Sequence, residues 1–146
     1  MKRADPAVLR RLKLFRPYPD AVPWDLFERA ELDDAAHDGL ANAVARALDD
    51  EPVVQLRVAR LDDDAVGAYL LDQPAPYRFR LIYLQLDVAW RGQGVGRWLL
   101  GHALGLAESK GGRALSAAPC DRYQRFLEGY GFQHLDGELR YPFIPE

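Results

Sequence analysis

Residues 91–97 read Arg-Gly-Gln-Gly-Val-Gly-Arg. Glycines at Gly92, Gly94 and Gly96 remove the side chains that would hold a ligand away from the backbone. The residues that follow read as a helix. Its first amides lack internal partners, and its dipole places about half a positive charge at that end. Together these features form a cradle for an anion, best suited to a phosphate or pyrophosphate. Arg91 and Arg97 flank the loop and can add charge-assisted hydrogen bonds to the same group. The plainer alternative is a tight strand-to-helix turn that needs flexible residues and nothing more.

Two common phosphate loops fit poorly. A nucleoside-triphosphate loop closes on Gly-Lys-Ser/Thr, whereas Val95-Gly96-Arg97 stands here. A dinucleotide fingerprint spaces its glycines as G-x-G-x-x-G near the start of a domain, with an acid about 20 residues on. Gly92-x-Gly94-x-Gly96 has a different spacing, about ninety residues precede it, and the nearest later acid of that kind is Asp121, past Pro119.

The loop requires a strand before it and a helix behind it. Residues 78–88 are the strongest strand in the sequence, with Ile82, Leu84 and Leu86 directed one way and Tyr83, Gln85 and Asp87 the other. The helix after the loop carries Val95, Leu99, Ala103 and Leu106 at helical spacing, and Gly111-Gly112 ends it. Upstream, residues 53–61 form a strand with Val54, Leu56 and Val58 on one face. Asp62-Asp63-Asp64 turns the chain, residues 65–71 return as the hairpin partner, and Pro74-Ala75-Pro76 breaks the run. The acidic triplet reads as a solvated turn, since no further ligand spacing follows it. Residues 9–15 read as an edge strand or a short helix. Strand is favoured because Arg16-Pro17-Tyr18-Pro19-Asp20 follows as a sharp break. Residues 20–49 give two helices, the second with Leu40, Val44, Ala47 and Leu48 as its stripe and Asp33 as its N-cap. Downstream come a strand over 113–118, a helix over 122–128, and a closing strand pair over 132–135 and 138–144. That order predicts a mixed α/β layout around one sheet.

Composition bounds the function. A length of 146 residues, 49% apolar and 28% charged, predicts a single globular domain over 1–146. No apolar run approaches the ~18–20 residues of a membrane helix, and the first residues lead into no secretion segment. A net charge of −3 argues against a dedicated nucleic-acid binder. A single cysteine, Cys120, excludes an intrachain disulfide and fits a reducing cytoplasm. Three scattered histidines (His37, His102, His134) without HExxH or CxxC predict no metal site.

On these residues the sequence resembles a known family. Arg91-x-x-Gly94-x-Gly96 after a hydrophobic strand is similar to the Q/R-x-x-G-x-G/A pyrophosphate loop of the GNAT superfamily of acyl-CoA-dependent N-acyltransferases. Phe126-Leu127-Glu128-Gly129-Tyr130-Gly131-Phe132 resembles the family's F-Y-x-x-x-G-F segment, and Leu14-Phe15-Arg16-Pro17 through Asp20 its first strand and turn. The likeness is strong over 80–132 and loose before Val53. It implies a GNAT-like fold: an N-terminal strand and two helices, an antiparallel meander, then a β-α-β unit whose central strands splay. It also implies acetyl-CoA as co-substrate, with no metal. The backbone of Leu86 and Val88 would hold pantetheine, with an amide directed at the thioester oxygen. Arg91, Gly92, Gln93, Gly94, Val95, Gly96 and Arg97 would bind the pyrophosphate. The reaction implied is direct transfer of acetyl to a primary amine on a small molecule or peptide, accelerated by orientation. Homodimers joined through the late strands occur in the family, and neither a nucleic acid nor a membrane partner is expected.

The proton-handling residues depart from the family pattern. Leu127 stands where the family often has a tyrosine that protonates the departing thiolate, and Cys120 stands roughly where it has an asparagine. Tyr123 and Tyr130 lie four before and three after Leu127 on one helical stripe. Either can act as the acid, or both can be packing residues. As a base for the amine only Asp87 ionises at neutral pH among Tyr83, Gln85 and Asp87; it reads equally as a solvated strand end. Ordered water is the alternative base. Cys120 lacks the histidine partner of a nucleophile, and His102 and His134 read as surface or packing residues. Two functions follow: an amine acetyltransferase, or a non-catalytic acyl-CoA-binding or regulatory domain, for which Leu127 speaks.

Overall fold

The computed structural model describes residues 6–17, 22–28, 34–49, 54–92, 94–117 and 124–143. Helix α1 (Pro6–Arg11) runs directly into strand β1 (Leu12–Phe15). Helices α2 (Trp24–Glu28) and α3 (Asp34–Leu48) lead to strands β2 (Val54–Leu61), β3 (Asp64–Ala75) and β4 (Arg78–Leu86). Helix α4 (Val95–Ser109), strand β5 (Ala114–Ala117), helix α5 (Gln124–Tyr130) and strands β6 (Gln133–Leu135) and β7 (Glu138–Pro142) complete the chain. One seven-stranded sheet has the order β1-β2-β3-β4-β5-β7-β6. All neighbours are antiparallel except β4 and β5, which run parallel.

Each face of the sheet closes its own core. Under α4, Val95, Leu99, Leu100 and Ala103 meet Tyr69, Phe79 and Leu115. On the other face Leu26 of α2 and Val44 of α3 meet Val58, Leu70 and Tyr83. The mixed architecture expected from the sequence is therefore the one observed, with several local corrections. The expected strand at 9–15 is helical up to Arg11. Pro6, with φ already helical and no N–H to lose, opens that helix. Strand β3 continues through Pro74 to Ala75, because the register with β4 shifts between Asp72 and Ala75 and a bulge tolerates proline. Helix α5 ends two residues later than expected. It closes where Gly131 takes φ +131° and the Phe132 N–H donates to the Leu127 carbonyl at 3.0 Å.

Two further corrections bear on the site. Strand β4 stops at Leu86, so Val88 is not part of it. The Asp87 N–H donates to the Val66 carbonyl (2.8 Å), the Asp87 carboxylate accepts from the Ala89 N–H (3.1 Å), and residues Val88–Trp90 wind into a 3-10 turn. Ile82 does not share a face with Leu84 and Leu86. Leu70 pairs with Tyr83 and Leu71 with Leu81, so Ile82 is the extra residue of a bulge and is 44% exposed. Asp33, Gln93, Ala118, Cys120, Asp121, Arg122 and Tyr123, and the start of the strand expected at Val53, lie outside the described residues. Among the described residues no helix is long and apolar enough to cross a membrane.

The join of α4 to β5 leaves no room for a side chain. Gly112 donates to the Ala107 carbonyl at 2.9 Å, and a Cβ there would stand 2.7 Å from the Phe79 ring and 2.8 Å from the Ala107 oxygen. Gly112→Ala should therefore destabilise the chain by about 1–3 kcal/mol, read as a lowered midpoint in urea unfolding; an unchanged midpoint would show that this packing is looser than described.

Candidate functional site

The β4–β5 ladder is short. It pairs Arg78 with Ala114 through Leu81 with Ala117. Beyond Leu81, β4 continues to Leu86 with β3 on one side and no described strand on the other. A strand edge of that kind presents unpaired N–H and C=O groups, and an extended chain can pair with it as a further strand would. Residues 118–123, which follow β5, lie outside the described residues, so the described seam ends at the Leu81–Ala117 pair.

At the open end the chain turns through the glycine loop. The Arg91 Nε donates to the Leu86 carbonyl at 3.4 Å, tying the loop to the strand. Gly92 and Gly94 take φ +78° and +82°, where a side chain would be strained. Gly94 is the N-cap of α4; no side chain caps the helix and no acid lies in its first turn. Its carbonyl accepts from the Trp98 N–H at 3.1 Å, so the amides that precede Trp98 are the helix's unpaired donors. A Cβ on Gly96 would stand 3.5 Å from the Phe126 ring and 4.0 Å from Leu86, so this glycine sits where α4, α5 and β4 converge. Uncapped amides and glycine backbone fit a pyrophosphate, which brings its own negative charge to the positive end of the dipole.

The remaining sequence candidates fall in different surroundings. Val95, the first residue of α4, is fully buried, so its side chain faces no ligand. Tyr130 is half-buried at the end of α5: the Arg97 guanidinium lies 4.9 Å from its ring centre, Tyr141 meets it edge-on at 5.7 Å, and its hydroxyl is 3.5 Å from where a Gly101 Cβ would stand. Leu127 is 3% exposed, in the core under α4. Asp87 lines a cleft of about 420 Å³ with Asp25, Arg60, Asp63, Asp64 and Trp90. Histidines behave as expected of packing and surface residues. The His102 ring packs at a 56° tilt against Trp98, centres 4.4 Å apart, and His134 bonds Glu128, holding that carboxyl below its usual range. Among the described residues no group of three metal-ligating side chains stands together. The bulge at Ile82 and the turn built by Asp87 had no signal in the sequence, since both depend on pairing with β3.

The profile described as the acetyltransferase (GNAT) family matches residues 11–132. No curated protein matches the sequence. Solved structures do match in fold. A Desulfovibrio desulfuricans protein assigned to the GNAT acetyltransferases is 19% identical with a TM-score of 0.75, over 90% of this chain and 98% of that one. A GNAT acetyltransferase from Elizabethkingia anophelis with acetyl-CoA bound is 16% identical, with a TM-score of 0.70 over 91% and 99%. The PaiA N-acetyltransferase of Thermoplasma acidophilum, in complex with coenzyme A, is 13% identical, with a TM-score of 0.67 over 90% and 99%. The chain belongs to the GNAT family of acetyltransferases.

Replacing Gly94 with Val puts a β-branched residue at a left-handed φ beside the loop's amides. The variant should fold with a lowered melting midpoint and lose its calorimetric binding of acetyl-CoA. Binding that persists unchanged would move the pyrophosphate away from this loop.

Proposed function

We propose that the chain is an N-acetyltransferase that moves the acetyl group of acetyl-CoA directly to a primary amine. The observation that carries this reading is that β4, beyond its last described pair with β5, runs into an uncapped, glycine-lined helix start. One accepts an extended pantetheine, the other the pyrophosphate beyond it. Arg91 and the amides from Gln93 to Arg97 hold the pyrophosphate, and the backbone of β4 up to Leu86 holds the arm. In the reaction the neutral amine nitrogen attacks the thioester carbonyl, and an amide of the open edge stabilises the oxyanion. The C–S bond then breaks, the thiolate takes a proton, and the new amide has released one. Holding both reactants against a single edge supplies orientation, which can replace much of the chemical catalysis.

Tyr123 and Tyr130 are the candidate acids and Asp87 the candidate base. The Asp87 carboxylate already accepts from the Ala89 amide, which favours water as the proton carrier for the amine. The single cysteine supports action in the cytoplasm, by one GNAT-like domain over 1–146. The exposed edge strand β6, with Leu135 41% exposed, suits a second copy. A non-catalytic acyl-CoA-binding role is the second reading, favoured by the apolar, buried Leu127 in place of a tyrosine.

Thermal unfolding with excess acetyl-CoA, NAD or ATP tests the donor. Ligand at ~100 times its dissociation constant adds about 2.7 kcal/mol, a rise on the order of 3–8 °C for a domain of this size. The rise is expected with acetyl-CoA alone, and its absence would reduce the loop to a turn. A rise without thiol release on any primary amine would establish the second reading. If Tyr130 is the acid, Tyr130→Phe should lower turnover about 10²–10³-fold without weakening acetyl-CoA binding; undiminished turnover assigns that proton to another group or to water.

A further inference from the structure

A second cleft, of about 500 Å³, lies between α4 and strands β1, β2 and β3. That volume is ordinary for a small-molecule site, which spans about 300–1,000 Å³. Leu14, Trp98 and Leu106 supply its apolar lining, and Arg57 and Tyr69 bring polar groups to it. Arg57 and Tyr69 stand directly opposite each other across the β2–β3 ladder, close enough to act on one ligand group.

The fold leaves both polar groups with capacity to spare. Tyr69 is 1% exposed, yet its hydroxyl has no hydrogen-bond partner among the described residues. Burial pushes its pKa up to about 12, with Arg57 opposing, so the hydroxyl stays a proton donor. The Arg57 guanidinium donates to the Leu56 carbonyl and to the Gln55 Oε1, each at 2.9 Å. Both acceptors are neutral, and among the described residues no carboxylate pairs with this half-buried cation. Burial lowers its pKa, opposed by Tyr69 and reinforced by Arg16. A guanidinium carries five N–H donors, so two bonds do not exhaust it. The helix side of the cleft is bare. Gly101 and Gly105, one turn apart on α4, both line it. A Cβ on Gly105 would meet nothing within 4 Å, and alanine would favour the helix by about 1 kcal/mol. No packing among the described residues requires that glycine, which keeps the space beside the helix open.

We propose that this cleft is a second small-molecule site and that its ligand is an aryl monocarboxylate. The carboxylate accepts from the Tyr69 hydroxyl and the remaining Arg57 donors, and the ring lies along α4 beside Trp98 and Gly105. One cation and one neutral donor in an apolar surround match a single negative charge, and would leave a phosphate dianion poorly neutralised. The Trp98 ring, held by His102 with centres 4.4 Å apart, offers a flat partner to an aromatic body. Of the 91–97 loop, only Arg97 is among the residues lining the cleft, so this ligand and acetyl-CoA bind at separate places.

Phenylacetate, its neutral isostere phenylacetamide, and acetate test this by calorimetry on the whole chain, free and saturated with acetyl-CoA. Phenylacetate should bind at one site per chain, about ten- to hundredfold more tightly than phenylacetamide, the span of a hydrogen bond to a charged group. Acetate, which lacks the ring, should bind far more weakly. Phenylacetate should also change the tryptophan emission, and Trp98→Phe should abolish that change, since neither Trp24 nor Trp90 lines the cleft. Tyr69→Phe should weaken phenylacetate about tenfold without lowering the melting midpoint, whereas loss of a structural hydrogen bond would lower it. Arg57→Gln should erase the preference for the carboxylate, and Arg57→Lys should keep part of it. Gly105→Leu should fill the cleft and abolish binding. All these variants should bind acetyl-CoA as the parent chain does. Equal binding of phenylacetamide and phenylacetate, binding that survives Gly105→Leu, or no binding of phenylacetate overturns the inference and leaves the donor assignment standing. Displacement of phenylacetate by acetyl-CoA also overturns it, by merging the cleft with the donor site. A missing thermal shift with acetyl-CoA, beside intact phenylacetate binding, overturns the donor assignment and leaves this inference standing.

Discussion

The site depends on a single backbone constraint: the parallel pairing of β4 with β5, described from Arg78–Ala114 to Leu81–Ala117. Backbone N–H and C=O groups in a sheet interior are almost always satisfied. A stretch of central strand with a described partner on one side alone is where, on the proposed reading, an extended chain would pair. Strand β3 fixes β4 from one side along its whole length. The bulge at Ile82 lies next to the last described pair with β5, Leu81–Ala117. A bulge adds local twist and re-aims the strand, so β4 bends beside that pair.

The glycine loop is placed by the same strand. Asp87 ends β4 by donating its amide to Val66 and accepting that of Ala89, and Arg91 reaches back to the Leu86 carbonyl. These bonds fix the loop to the strand while Val95 and Leu99 fix α4 to the sheet. The helix amides thus point from a rigid base. Positive φ at Gly92 and Gly94 is the local cost, and glycine makes it small. Asp87 shows how a residue eligible for proton transfer can serve the geometry instead, since its carboxylate helps to form the turn that carries the loop.

Much of this was legible in the sequence because it depends on local spacing. The loop, the helix behind it, the β2–β3 hairpin and the closing strand pair all follow from periods of 3.6 or 2 and from glycine punctuation. What depends on pairing was not legible. Residues 82, 84 and 86 alternate without a flaw in sequence, yet a slip in register against β3 moves Ile82 to the other face. Pro74 reads as a breaker, but a bulge absorbs it. Arg80, Ser116 and Arg140 are separated by 36 and 24 positions in the chain, and only the ladder brings them into one row. The hydrophobic periods of each strand state which side is inward; they carry no information about which polar residues become neighbours on the outward side.

Leu127 frames the chemistry that remains. A hydroxyl at a position 3% exposed in an apolar core would need a partner there, and leucine removes that demand along with the acid. The loss is tolerable because a thiol with a pKa of about 8.5 leaves readily as its anion near neutral pH. On the amine-acetylation reading the acceptor poses the harder problem: a simple alkyl amine, with an ordinary pKa of about 10.4, is almost wholly protonated at neutral pH and cannot attack. The burden of catalysis therefore shifts from the leaving group to the acceptor. On that reading it falls on the groups beside β4 beyond its last described pair with β5.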